Sequence, residues 1–136
     1  MTLVASDGSQ IYPDRHGLAF YYAVNIGSIV YCHGSGRPPR VATEPRLRYT
    51  EEQIYPGGEP VTGDTVGIER NLAEMEVLTG LLLAEVGQGP PCVGLGDGPL
   101  LIWLRPGELP EGRRRQVLHD YLGCLDRLGA SGAPVA

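Results

Sequence analysis

A chain of 136 residues, 42% hydrophobic and 20% charged, carries enough apolar material for one domain with a real core. Its net charge of −5 argues mildly against a generic nucleic-acid coat, and no apolar run approaches the roughly 20 residues that cross a bilayer. The start, Met1 to Ser6, lacks the basic flank and long apolar stretch of a signal peptide, so a cytoplasmic location is expected.

Leu3-Val4-Ala5 forms a short apolar lead into an acidic turn, Asp7-Gly8-Ser9. The run from Gly17 to Tyr31 is rich in β-branched and aromatic residues and predicts one long strand, or two meeting at Gly27. After a Gly/Pro-rich turn from Gly34 to Pro39, Arg46 to Thr50 alternates as a third strand should, with Val41-Ala42-Thr43 leading in. Residues 51–64, with Pro56-Gly57-Gly58 and Pro60, predict a loop, and Asp64 or Thr65 a helix N-cap. From Val66 to Val86 the period becomes helical, with Ile68, Leu72, Met75, Leu78 and Leu82 in one apolar stripe. Gly87-Gln88-Gly89-Pro90-Pro91 ends that helix.

Cys92 to Leu95 then predicts a short buried strand that delivers Asp97, and Leu100 to Leu104 a further extended run. Past Pro106-Gly107, Glu111 to Leu128 predicts a second helix whose core face carries Val117, Leu118, Tyr121, Leu122, Leu125 and Leu128. Ala133 to Ala136 looks like the beginning of another strand. The order β-β-β-α-β-α-β fits an α/β fold, a mixed sheet with helices packed against it.

Chemistry concentrates in the acidic residues. Asp7 and Asp97 each follow an apolar run, and the helix between them carries Glu69, Glu74 and Glu76. Three carboxylates brought together in a partly dry site cannot all stay ionised without a compensating cation. Mg²⁺ or Mn²⁺ suits that need, because both prefer oxygen ligands and keep positions open for water and phosphate. The pattern therefore points to a metal-dependent phosphodiesterase site. Each part also has a plain reading: Asp7-Gly8-Ser9 as an ordinary turn leaving a strand, Asp97-Gly98 as a hairpin turn, and the glutamates as a solvated helix face.

All eleven basic residues are arginine. Arg113-Arg114-Arg115 opens the second helix against its dipole, which suggests an anionic partner such as DNA, although a charged first turn is the blander reading. Arg46 and Arg48 share one strand face and form a second candidate phosphate contact. Cys32, Cys92 and Cys124 lack metal-type spacing and read as thiols in a reducing compartment. No Ser-His-Asp constellation, Walker loop or dinucleotide fingerprint can be assembled.

The order of elements, with acidic residues after the first and fourth strands and on the first helix, resembles that of ribonuclease H-like nucleases. The motifs are narrower. Ala5-Ser6-Asp7-Gly8-Ser9-Gln10, with Tyr12-Pro13-Asp14-Arg15-His16, resembles the opening motif of the NurA nuclease family. Arg70-Asn71-Leu72-Ala73-Glu74-Met75-Glu76 is similar to that family's helix motif, and Leu95-Gly96-Asp97-Gly98-Pro99-Leu100 to its second Asp-Gly turn. The resemblance implies a ribonuclease H-like domain over residues 1–136, incomplete at both ends. It further implies a Mn²⁺- or Mg²⁺-dependent deoxyribonuclease, a 5′ to 3′ exonuclease and single-strand endonuclease that resects ends in double-strand break repair.

In that family's terms Asp7, Asp97 and Glu74 or Glu76 hold two ions bridged by Asp7, with Glu76 preferred. Ser9 and the Gly8 amide orient a carboxylate or touch phosphate. The implied partners are DNA, a HerA-type hexameric translocase and a second copy of the chain, with no membrane. This chain departs from the family in having Pro99 where Ser is usual, and in lacking the later ligand-bearing segment of its considerably longer members. The alternative is a non-catalytic interaction module that keeps the fold and docks on a HerA-type translocase or DNA.

Overall fold

The computed structural model describes residues 1–97, 101–105 and 107–136. Three strands run as an antiparallel meander: β1 (Thr2–Ile11), β2 (Tyr22–Cys32) and β3 (Arg40–Arg48). A short helix, α1 (Glu51–Ile54), and a 3₁₀ turn (Pro56–Gly58) lead to the long helix α2 (Gly63–Glu85). This helix carries the chain back over the sheet to β4 (Cys92–Gly96), which lies parallel to β1, giving the order β3-β2-β1-β4. The second long helix, α3 (Glu111–Ser131), packs on α2.

Side-chain alternation decides which face of the sheet is covered. Along β1, Thr2, Val4 and Ser6 are buried, whereas Leu3 and Ala5 are half-buried and Asp7 is exposed. Val4 sits opposite Val30 and Gly8 opposite Ile26, so the buried positions of β1 and β2 share one face, under α2. The other face carries Ile29, Tyr31 and Leu95, all partly open to solvent.

α2 is buried on more than the one stripe its sequence suggests, because it lies between the sheet and α3. Val66, Ala73 and Val77 meet Tyr22, Val24 and Ile26 of β2. Leu72, Leu78 and Leu82 join Val4 to Val117, Tyr121, Cys124 and Leu128 of α3. Leu82 is 0% exposed at the centre of that second group. Leu82→Ala should therefore lower unfolding free energy by about 2–5 kcal/mol, read from the urea midpoint at unchanged slope.

Several boundaries differ from the sequence reading, each for a local reason. Asp7-Gly8-Ser9 is not a turn after a strand: β1 continues to Ile11, paired residue by residue with Ala23 to Gly27 of β2. Gly27 does not divide β2. Residues 51–64 are not all loop, since Thr50 opens α1 with a reciprocal capping box to Gln53. α2 is capped by Thr62 and not by Asp64 or Thr65; the Thr62 hydroxyl accepts the Thr65 amide at 3.2 Å. Leu101 to Arg105 form no regular element, and Gly98 to Leu100 of the expected Asp-Gly turn lie outside the described residues.

The expected strand at the end of the chain is present in outline. α3 stops at Gly132, whose φ of 69° turns the chain back. Val135 then bridges Gly94 in parallel, with Gly94 donating to the Pro134 carbonyl and accepting the Ala136 amide on the outer edge of β4. Among the described residues no helix is long and apolar enough to cross a membrane.

Candidate functional site

Two acidic residues, Glu74 and Asp97, line one cavity where β4 ends beside β1. Ser6 is the last β1 residue paired with β4, opposite Gly96. Beyond it β1 has no strand partner on that side among the described residues, and there the Gly8 amide donates to the Glu74 carboxylate. Gly8 is the residue that permits this approach: a Cβ at its position would overlap Glu74 Oε1 and stand 2.6 Å from Arg70 Cγ. Ser6 fixes the helix locally, its hydroxyl donating to the Glu74 carbonyl at 3.0 Å. A buried serine thus sets the height of α2 over the strand, and a glycine clears space for the carboxylate.

Asp97 follows directly on β4 and lines two hollows. One is a cavity of about 110 Å³ under α2 and α3, shared with Ser6, Arg70, Glu74 and Tyr121. The other is a shallow groove on the open face of the sheet, shared with Asp7 and Ile29. Asp7 belongs to that open face by alternation, so the backbone of β1 separates it from Glu74, and Asp97 borders both.

Glu74 nonetheless feels both aspartates. Burial pushes the Glu74 carboxyl above its usual range; Arg70 and the Gly8 amide oppose the rise, and Asp7 and Asp97 add to it. Tyr121, deep in the same cavity, has its phenol pushed up by burial, then by Cys124 and Glu74. Among the described residues, no three His, Cys, Asp or Glu side chains stand close enough together to hold a metal ion.

The other candidate residues are placed elsewhere. Glu76 is on the β3 side of α2, exposed and 3.6 Å from Arg46. The helix carboxylate that faces β1 and β4 is Glu74, the less favoured of the pair from the sequence. Arg46 also lies 3.5 Å from Glu44, and Arg48 is held by Glu69 at 2.9 Å, so both arginines pair with carboxylates. Glu69 in turn accepts from the Tyr22 hydroxyl at 2.7 Å, and burial with this bond drives the phenol far up. That trio fastens β3 to α2.

Arg114 and Arg115 pair with Glu111 of their own turn, at 3.7 and 3.0 Å, whereas Arg113 is exposed and near enough to Tyr22 to be felt by it. Ser9 is exposed on the same face as Asp7. Sequence reasoning missed Arg70, Ser6 and Tyr121 as members of the site. Only Arg70 had a readable signal, its four-residue spacing from Glu74 on a helix.

The NurA domain family matches residues 1–135 of the chain. The chain belongs to the NurA family. A solved structure, the NurA nuclease from Sulfolobus solfataricus, aligns over 91% of this chain and 40% of its own length, at 12% identity and a TM-score of 0.46. This chain thus spans less than half the length of that relative. No curated protein matches it.

The raised Glu74 carboxyl makes the stability of this NurA domain depend on pH. Because the folded Glu74 pKa is raised, its stabilising contribution is complete at acid pH and is lost as pH rises through the folded value. Glu74→Gln, neutral at every pH, should therefore raise Tm by a few degrees near neutral pH in the absence of divalent ions. That gain should vanish in acid, as followed by circular dichroism melts.

Proposed function

We propose that this NurA domain is a metal-dependent deoxyribonuclease, with Asp97 at the end of β4 as the hinge of its site. The observation that carries the reading is that Glu74 and Asp97 line one cavity where β4 ends beside β1, with Asp7 near enough to act on Glu74, in a member of the NurA family. The donor set is carboxylate oxygen throughout, which suits Mn²⁺ or Mg²⁺. A divalent ion would supply an activated water and neutralise charge on the cleaved phosphodiester.

The chain's own residues would do the rest. Glu74 and Asp97 approach from the cavity side and Asp7 from the open face, with two ions as the implied complement. The Gly8 amide orients Glu74, Ser6 sets the height of α2, and Ser9 beside Asp7 is placed to touch phosphate. Arg113 is the basic residue of the α3 start best placed to meet DNA, since Arg114 and Arg115 pair locally. The finer activity in this proposal is 5′ to 3′ exonuclease and single-strand endonuclease cleavage during end resection. A homodimer on a HerA-type translocase is the assembly it implies.

A second reading is a non-catalytic module that docks on such a translocase or on DNA. The absence of a gathered metal-binding trio among the described residues favours it. Incubating the chain with end-labelled duplex and single-stranded DNA and Mn²⁺ separates the two. Cleavage that is abolished by chelation supports the nuclease, and an inert chain at saturating Mn²⁺ supports the module.

A further inference from the structure

Among the described residues, Arg70 is the one arginine that faces the same cavity as Glu74 and Asp97. Its Nε lies 3.2 Å from Glu74 Oε1, yet this buried nitrogen has no well-directed hydrogen-bond acceptor. The guanidinium is instead steered by two neutral amides, through bonds to Gln10 Oε1 at 3.2 Å and Asn71 Oδ1 at 2.9 Å. The Arg70–Glu74 link is therefore mainly electrostatic. Arg46, Arg48, Arg114 and Arg115 differ, each pairing with a carboxylate that does not line this cavity.

We propose that Arg70 is a built-in counter-ion to Glu74, and that a divalent cation must compete with it for that carboxylate. Arg70 is then a positioning residue that sets the threshold for cation binding, and this inference rests on the metal-site reading above. The geometry gives the competition its form. Glu74 cannot serve both partners fully, because its carboxylate already faces Arg70 Nε, is engaged by the Gly8 amide and is packed directly against Gly8. The Gln10 and Asn71 bonds keep the guanidinium in place when Glu74 turns toward Asp97, so a positive charge stays close to the incoming ion and opposes it.

The test is Mn²⁺ affinity of the full chain, measured from free Mn²⁺ by electron paramagnetic resonance, for the native chain, Arg70→Gln and Arg70→Lys. Arg70→Gln should bind Mn²⁺ about tenfold more tightly, since both the competitor and a nearby positive charge are gone. Arg70→Lys keeps the charge and should stay within about twofold of native. An arginine with only a structural role would behave oppositely, its removal weakening Mn²⁺ binding together with the fold. Equal or weaker binding by a folded Arg70→Gln, or tightening in Arg70→Lys equal to that in Arg70→Gln, overturns the inference alone. If the native chain and both variants all fail to bind Mn²⁺, the metal-site reading falls and this inference with it.

Discussion

Glu74→Gln and Asp97→Asn should each reduce Mn²⁺-dependent DNA cleavage by roughly 10²–10³-fold, whereas Glu76→Gln should stay within about threefold of native. The contrast follows from where α2 crosses the sheet. Glu74 faces the junction of β1 and β4, accepts the Gly8 amide and is pushed toward neutrality by burial and by both aspartates. Glu76, two residues on, is rotated to the β3 side, where it pairs with Arg46 at 3.6 Å and is exposed. An exposed pair of this kind is worth little to stability, so Glu76→Gln should also leave Tm nearly unchanged. The informative comparison is steady-state cleavage at saturating Mn²⁺ for the three variants beside their melting curves. Glu74→Gln should be the more stable yet inactive protein, a separation that a general folding defect cannot produce.

Gly8→Ala should lose cleavage nearly as completely while the chain remains folded. A methyl at this position would overlap Glu74 Oε1 and approach Arg70 Cγ to 2.6 Å and Cδ to 3.0 Å. The carboxylate is a flexible end and can swing away; the Arg70 methylene is mid-chain and cannot do so without moving the guanidinium. Both side chains must therefore leave the edge of β1, and the Gly8 amide loses its carboxylate acceptor. The cost to stability should be about 1–3 kcal/mol, in the range for overpacking a tight contact. Activity should fall roughly a hundredfold or more, because the loss is of geometry at the proposed ligand and not of bulk packing. Gly27→Ala, in the same antiparallel pair but 3.6 Å from its nearest neighbour, serves as the matched control for stability and should be mild there.

Much of the architecture was legible because it rests on local signals. The period change at Val66, the breakers from Gly87 to Pro91 and the apolar run at Cys92 mark elements without reference to the rest of the chain. Even the strand beginning at Ala133 is visible in its β4 bridge. Asp7-Gly8-Ser9 misled because its composition is that of a turn, while pairing across to Gly27, Ile26 and Asn25 keeps it extended. Tertiary pairing overrides turn propensity there.

The choice between Glu74 and Glu76 was not available from the helix alone. Both flank the apolar stripe, and which flank looks at β1 and β4 depends on the strand order and the direction in which α2 crosses the sheet. Arg46 and Arg48 illustrate the same limit. Their alternation on β3 was readable, but the carboxylates of α2 that pair with them come from residues more than twenty positions away. Tyr121 had the spacing of a core residue and is one; its neighbourhood with Glu74 arises only from the packing of α3 on α2.

The divalent ion proposed at the end of β4 would bind between Glu74 and Asp97. Mn²⁺ titrated into the ¹⁵N-labelled chain measures this directly, through paramagnetic broadening of backbone amides. Broadening that begins at Gly8, Glu74, Gly96 and Asp97, and is lost in Asp97→Asn, is the predicted result. Broadening that begins elsewhere, as at Glu51 and Glu52, or that spreads evenly over the acidic surface, would contradict the account.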